Sequence, residues 1–524
     1  MITDFVIKNA PILVVAIPLI GAFLCPLVAR ISPMWRKTWV LGVVTVTSLI
    51  AILLASIVLT QGTVIYVFGA STSNLTVPID SGGIPIRIIF TVDAMSAAME
   101  VIMAMIGFSV ILYSMSADQE RSSLEQYYTL FLLLICSVMG MVTTGDLFNF
   151  FVFLEISSMA SAGLVAYRVE KGRAIEAAIK YFIVSTIAAI FFLFAIAILY
   201  GQYNALNIAM LAQRLQFTLI DKIALILIVM ALSTKCGAVP MHFWTPDAYS
   251  LAPSSVTAML VVVSLASLYA LFRFVFTMYG LTLSYVTIGW VLITLGVLSM
   301  VIGVTMAIPQ KDVQRLIAYQ GISQIGYMLL GMGVGLAVLG NPAQLSSFGI
   351  IAMEGGIFHI INHAIYEGLL FLTAGSIIYR IGTRDLDKMG GLGHSMKYTM
   401  IFFMIGVLAI AGVPPFNGFA SKLLIYESVY LFNPVLAIIA LVVSILTLAS
   451  FVKVFHSIFM GPRLLEYAGV REAPLPMLIG MGILAVLIVV FGFFPQVVVN
   501  TIVAPAAQAL VNQGGYLSVI LGGR

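Results

Sequence analysis

Charge is what this sequence has least of. Aspartate, glutamate, lysine and arginine make up 9% of its 524 residues, while 61% are hydrophobic. Soluble domains average about 25% charged residues. So few charges cannot build a water-exposed surface, and a lipid bilayer is the solvent the chain fits. The net charge is only +4. The basic residues form no stripe, which argues against a nucleic-acid partner. Cysteine is also scarce. Cys25, Cys136 and Cys236 lie inside apolar runs, with no pair at metal-ligand spacing. That excludes a disulfide framework and a zinc or iron–sulfur site, and no redox-cofactor site is visible. The N-terminal apolar run begins at Ala10, is too long for a signal-peptide core and lacks a convincing cleavage site. It reads as a first spanning helix.

Apolar runs of ~20 residues are what the chain has in quantity, and each is long enough to span a bilayer. The expected spans are 10–29, 38–60, 93–115, 127–144, 147–167, 178–201, 219–240, 255–279, 283–307, 313–336, 348–379, 398–430, 434–459 and 474–496. The fold class is therefore an all-α polytopic membrane protein of about 14 transmembrane helices. The polar, alternating, glycine-rich stretch from Gln61 to Ser81 reads as an external loop with a hairpin, and 202–217 as a short interfacial helix. Alternate loops carry Arg30, Arg36 and Lys37; Arg121; Arg168, Lys171 and Arg173; Lys311 and Arg315; Arg380, Arg384, Lys388 and Lys397; and Arg463 and Arg471. The opposite set holds little beyond Lys8, Arg87, Arg214, Lys222 and Arg524. Positive loops stay in the cytoplasm. That orientation puts both termini outside the cell membrane, as an even number of spans requires.

Two spans carry backbone breakers. The seventh ends in Lys235-Cys-Gly-Ala-Val-Pro240, and the twelfth is interrupted by Gly412-Val-Pro-Pro-Phe-Asn-Gly418. Irregular backbone survives at membrane depth only where protein or water covers it. Paired broken helices in two halves of a chain point to a transport site. Under this topology Lys235 and Lys422 both sit on the outer side of their break, near mid-membrane.

Ionisable residues inside spans cost at least ~2.5–3.5 kcal/mol each and need a partner or water. Glu155 lies mid-way along the fifth span; the alternative to a functional role is a structural ion pair, or a protonated carboxyl satisfied by Ser157 and Ser158. Lys235 is its natural partner, and the alternative there is a static salt bridge between two helices. Two charges ~8 Å apart at an effective dielectric of ~20 interact by ~2 kcal/mol. His359, His363 and Glu367 recur every four residues along one face of the eleventh span. That spacing suits a metal, but a proton wire is the more natural reading, because neutral imidazole both donates and accepts. Lys422 follows the second break. Lys180 and Lys453 stand near cytoplasmic helix ends, where anchoring or snorkelling explains them nearly as well. Snorkelling is also the expectation for Arg273. Asp93, Asp146 and Asp247 are expected helix caps.

These residues together resemble a known family. Gly145-Asp-Leu-Phe-Asn-Phe-Phe-Val-Phe-Leu-Glu155 is similar to the fifth-helix motif of the antiporter-like subunits of complex I and Mrp cation/proton antiporters. The stretches Ser233 to Ala248, Arg315 to Tyr327, His359 to Ala364 and Gly412 to Lys422 resemble their seventh, tenth, eleventh and twelfth helices in order. The run from Ser444 to Pro462, and a chain end soon after the fourteenth span, resemble the Mrp D-type subunit and the archaeal membrane-bound hydrogenase or sulfur reductase subunits.

The resemblance implies two inverted five-helix repeats, spans 4–8 and 9–13. It divides the chain into three N-terminal helices (1–115, with external loop 61–92), a first translocating repeat (127–279), a second (283–459) and a C-terminal helix and tail (474–524). It implies a mid-membrane ion path in which Glu155 and Lys235 form a paired switch, continued by Lys180, His359, His363, Glu367, Lys422 and Lys453. It implies that the subunit moves protons or sodium ions and is itself non-catalytic. It holds no cofactor, while peripheral redox subunits and other antiporter-like and small membrane subunits complete the complex. An Mrp-type antiporter without redox partners is the alternative, with a stand-alone solute transporter or a non-conducting scaffold behind it. Two departures bear on the central connection: Leu265 and Glu367 stand where many relatives carry lysine.

Overall fold

The computed structural model describes residues 2–68, 88–117, 124–167, 172–282, 284–462 and 464–522. Nearly all of this is helix. In chain order the helices are α1 Ile2–Ala29, α2 Pro33–Gln61, α3 Ala94–Ala117, α4 Leu124–Thr143, α5 Leu147–Val165, α6 Gly172–Tyr203, α7 Ile208–Arg214, α8 Leu219–Cys236, α9 Thr245–Leu251, α10 Ser254–Tyr279, α11 Tyr285–Ala307 and α12 Val313–Ala337. They continue with α13 Pro342–Ile381, α14 Lys397–Ala411, α15 Asn417–Phe432, α16 Pro434–Phe459, α17 Leu475–Phe493, α18 Pro495–Val511 and α19 Gln513–Leu521.

Among the described residues, 12 helical stretches are long and apolar enough to cross a membrane. The chain is a polytopic helical membrane protein. The other two expected spans take different forms. Helix α12 is long enough, but carries Gln314, Arg315, Gln320 and Gln324 and is buried along nearly its whole length. The expected span 398–430 is two short helices, α14 and α15, of 15 and 16 residues. Expected helix ends also move. The first helix begins at Ile2 rather than Ala10, and the sixth at Gly172 rather than Ala178.

Outside the helices, Val64–Val67 (β1) and Ile89–Val92 (β2) pair antiparallel, with Val64 opposite Val92. The partner strand β2 lies beyond the expected loop of 61–81, whose residues 69–81 are outside the described residues, as are Arg87, Arg121, Arg168, Lys171, Arg463 and Arg524. The expected short helix of 202–217 is α7.

Helices α10, α12 and α13 form the buried centre, and α1, α6, α11 and α16 keep an outer face. That outer face is apolar: Phe23, Phe194, Ile438 and Ile445 are exposed on it. Aliphatic side chains pointing away from protein are what lipid contact requires. Helices α11 and α12 pack closely because glycine lines their seam. A Cβ added at Gly289, Gly296 or Gly303 would stand 2.6–2.8 Å from backbone atoms of α12. Small residues allow this approach, which drives helix association in lipid.

Several basic loops meet on one face. Lys311 and Asp387 pair at 2.5 Å, and Arg384 lies 3.8 Å from Asp312. Hydrogen bonding between Lys311 and Asp387 holds that carboxyl below its ordinary value and the ammonium above its own. Both groups are exposed, so water screens the pair.

Gly296→Leu forces α11 away from α12. Overpacking costs ~1–3 kcal/mol or more, so the thermal midpoint of the purified protein is expected to fall by several degrees. Gly42→Leu, where a Cβ meets nothing within 4 Å, is expected to leave the midpoint unchanged in the same assay.

Candidate functional site

Each broken helix ends in the same way. At the first break Gly237 adopts φ +78°, Gly237 N donates to Thr234 O (3.2 Å) and Ala238 N to Ser233 O (2.9 Å). At the second, Gly412 adopts φ +76°, Gly412 N donates to Ala409 O (3.0 Å) and Val413 N to Leu408 O (2.9 Å). Glycine is the residue that reaches this left-handed region without strain, and the paired bonds are the usual helix stop. Side chains satisfy the groups the breaks release. Trp244 Nε1 donates to Thr234 O at 2.9 Å, and Val239 N donates to Ser299 Oγ of α11 at 3.0 Å. At the second break Lys422 Nζ donates to Ile410 O at 2.8 Å, and Ser444 Oγ of α16 to Ala411 O at 2.9 Å.

Lys235 occupies the last turn of α8, with 5% of its surface exposed. Its ammonium donates to Ser158 Oγ of α5. Ser158 lies one turn beyond Glu155 on the same helix, so Lys235 docks beside that carboxylate. Glu155 and Lys235 interact electrostatically. No ion pair within 4.0 Å joins them among the described residues, and Glu155 Oε1 is buried without a hydrogen-bond partner there.

Lys422 is fully buried in α15. It donates also to Ser444 Oγ at 3.1 Å and stands 4.7 Å above the Tyr327 ring. One residue earlier, Ser421 Oγ meets His359 Nδ1 at 2.9 Å. On its other side His359 Nε2 reaches Gln324 Oε1 (3.3 Å) and Tyr366 OH (3.2 Å). The Tyr366 ring packs edge-on to His363 at 5.5 Å. His363 Nε2 stands 2.6 Å from Glu367 Oε2, an ion-pair distance without the alignment of a hydrogen bond. Asn362 and Asn417 clamp α13 to the start of α15 with two 2.9 Å bonds.

Glu367 borders a small cavity. Thr245, Tyr249, Ser264, Gly321 and His363 line it with Glu367, and Val261, Ala318, Ile322 and Ile325 complete the wall. Tyr249 OH and Ser264 Oγ are 2.7 Å apart. Ser264 precedes Leu265, which does not line the cavity and packs in the apolar core. Thr245 Oγ1 ties the cavity to the first break, because a Cβ at Gly237 would stand 2.6 Å from it.

Two expected path residues lie apart from this buried series. Lys180 is 48% exposed and pairs with Glu176 (2.7 Å) and Asp247 (3.2 Å). Lys453 is exposed, and its ammonium donates to Ile308 O at 3.2 Å. Two expectations are overturned. Asp247 does not cap α10. It sits inside α9 and bridges Lys180 to Arg315 (2.6 Å), beside an open cavity of ≈610 Å³ lined by Arg173, Lys311, Asp312 and Arg384. Nor does Arg273 snorkel. It is 4% exposed and holds Asp93 through two 2.6 Å bonds, with Ser96 and Tyr269 beside it. Asp93 and Asp146 do cap α3 and α5, accepting from Ser96 N and Asn149 N. Sequence reasoning passed over Glu100, fully buried in α3 with Thr143 Oγ1 at 3.2 Å. The signal that marked Glu155, a lone carboxylate inside an apolar run, was present there too. Thr245, Ser264 and Gly321 carried no such signal.

With this geometry in view, the comparisons decide the family. The family model described as NADH:quinone oxidoreductase/Mrp antiporter, TM, matches residues 144–447. The chain belongs to this family. It is 31% identical over 528 residues to the NADH-quinone oxidoreductase subunit N of Desulforudis audaxviator, covering 94% of this chain and 98% of that one. It resembles a chain of the Mrp complex from Dietzia with a TM-score of 0.85 and 26% identity, covering 98% and 99% of the two chains. It also resembles a chain of the membrane-bound sulfane sulfur reductase, an archaeal respiratory membrane complex. There the TM-score is 0.83 and the identity 28%, over 98% and 100% of the chains.

A Cβ at Gly321 would collide with the Glu367 carboxylate, which sits at the end of a flexible side chain. Gly321→Ala is therefore expected to leave thermal stability nearly intact while moving Glu367. Ion transport by the reconstituted protein should fall severalfold. Transport at the wild-type rate would show that the placement of Glu367 does not matter.

Proposed function

We propose that this chain is the ion-translocating, antiporter-like subunit of a multi-subunit membrane complex, moving protons or sodium ions along its buried polar series. The observation that carries the reading is the pair of matched breaks, each with a buried lysine beside it. Lys235 is tethered next to Glu155, and Lys422 is joined through Ser421 to His359. Between them stand Tyr249, Ser264, Glu367 and His363. A buried ammonium held by a serine and faced by an incompletely bonded carboxylate is poised between two charge arrangements. Shifting Glu155 away from Lys235 removes ~2 kcal/mol of attraction at a separation of ~8 Å. That is enough to change the hold of Lys235 on its proton.

The finer architecture belongs to the same proposal. Fourteen crossings result when α12 and the α14–α15 pair are counted with the 12 apolar stretches. The matched breaks support two inverted five-helix repeats, spans 4–8 and 9–13. The basic loops face the cytoplasm and both termini face outward. Lys180, Asp247 and Arg315 then guard a cytoplasmic mouth, and Lys453 sits at that surface. Partners are other antiporter-like and small membrane subunits, with peripheral redox subunits supplying the driving reaction and no cofactor in this chain. Similarity to a chain of the Dietzia Mrp complex favours a second reading, a cation/proton antiporter without redox partners.

Reconstituted complexes carrying Lys235→Ala or Glu155→Gln are expected to lose most coupled ion movement, while redox turnover persists or becomes uncoupled. Movement at full stoichiometry in both variants would leave the chain a scaffold. Transport of a solute by the isolated chain would replace the proposal with a carrier.

A further inference from the structure

The cavity beside Glu367 has a chemistry of its own. Its open interior is ≈10 Å³, about the least that accommodates one water-sized body. Four of its lining residues carry side-chain oxygen, Glu367, Thr245, Tyr249 and Ser264, and Val261, Ala318, Ile322 and Ile325 supply an aliphatic part of the wall. Among the described residues no lysine or arginine lines it. Glu367 and Thr245 are 1% and 2% exposed. Among the described residues, neither Glu367 oxygen nor Thr245 Oγ1 makes a hydrogen bond, and His363 Nδ1 makes none either. Glu367 Oε2 faces His363 Nε2 at 2.6 Å, which leaves Glu367 Oε1, Thr245 Oγ1 and His363 Nδ1 without a partner among the described residues, and unsatisfied polar atoms at this depth are expensive.

The donor set narrows what fits. Oxygen ligands from carboxylate and hydroxyl suit hard cations, and transition metals prefer nitrogen or sulfur. One carboxylate supplies a single negative charge. Calcium takes 6–8 oxygens and magnesium keeps several waters; one carboxylate and three hydroxyls supply neither that many ligands nor the charge of a divalent ion, and the cavity leaves no space for extra waters. We infer that this cavity binds one dehydrated, sodium-sized monovalent cation, held by Glu367 with Thr245, Ser264 and Tyr249. The inference rests on the reading of the chain as ion-translocating and gives the middle of the series a specific occupant. The bound cation compensates the buried carboxylate, whose ion-pair partner among the described residues is His363. Thr245 and Glu367 place it between the first break and the histidines, so loading and release there connect the two halves.

The test is the thermal unfolding midpoint of the purified intact complex, with sodium chloride titrated against choline chloride at constant ionic strength. Wild type is expected to show a saturable, sodium-specific rise. Glu367→Gln should abolish that rise. Thr245→Val, which keeps the carboxylate and the packing volume, should raise the half-saturating sodium concentration about tenfold, the loss of one good ligand. If Glu367→Gln does not assemble, Thr245→Val carries the test. Glu155→Gln should keep the sodium response even though it loses transport. No sodium-specific rise in wild type would overturn the site, as would an unchanged response in the assembled variants. The translocation reading would then still stand or fall on transport by Glu155→Gln.

Discussion

A broken helix at membrane depth must find partners for the backbone groups it releases, because lipid offers none. That constraint organises this molecule. Each break is closed by one side chain from its own broken segment and one from another helix: Trp244 and Ser299 at the first, Lys422 and Ser444 at the second. Ser299 and Ser444 belong to α11 and α16, so the breaks lock distant parts of the chain together. The second break recruits its own lysine as a donor. The ammonium that the proposed path uses is thereby also a structural group, and moving it disturbs the backbone beside it.

The remaining ionisable groups follow the same logic in two ways. Arg273 and Asp93 are fully paired, with two short bonds between them and hydroxyls around them. Such a pair fixes helices, and breaking one by removing a partner is strongly destabilising, by ~3–5 kcal/mol. Glu155, Glu367 and His363 each keep a buried atom with no hydrogen bond among the described residues. In this respect the three differ from the Arg273–Asp93 pair, whose bonds to each other are complete. A group already saturated with partners gains nothing from a passing ion, whereas one with unused capacity does.

Much of this was legible in the sequence, because a lone charge in an apolar run is conspicuous. Glu155, Lys235 and the four-residue stripe from His359 to Glu367 were visible for that reason, as were both breaks. What the sequence hid was pairing at long range. Arg273 read as a snorkelling side chain because its partner, Asp93, lies 180 residues away. Asp247 read as a cap because nothing in its neighbourhood announces Lys180 or Arg315. The middle of the path was hidden more deeply. Tyr249, Ser264 and Thr245 are ordinary membrane-helix residues, and only their convergence beside Glu367 gives them a role. Gly321 carries no chemistry at all, yet its missing side chain is what admits the carboxylate. Leu265, where many relatives carry lysine, packs in the apolar core, and the nearest polar contact on that helix is the Tyr249–Ser264 pair one residue earlier. Helix α12 and the α14–α15 pair fell short of a simple span rule because the polar content and the proline break that suit a path also lower apolarity and length.

The central claim is that the groups between Glu155 and Lys422 share a hydrated, ion-accessible route through the two breaks. A density map of the intact complex that resolves ordered water tests it most directly. The account predicts ordered water or ion density in the Thr245–Tyr249–Ser264–Glu367 cavity and between Glu155 and Lys235. Dry, continuous apolar packing between those groups would contradict it.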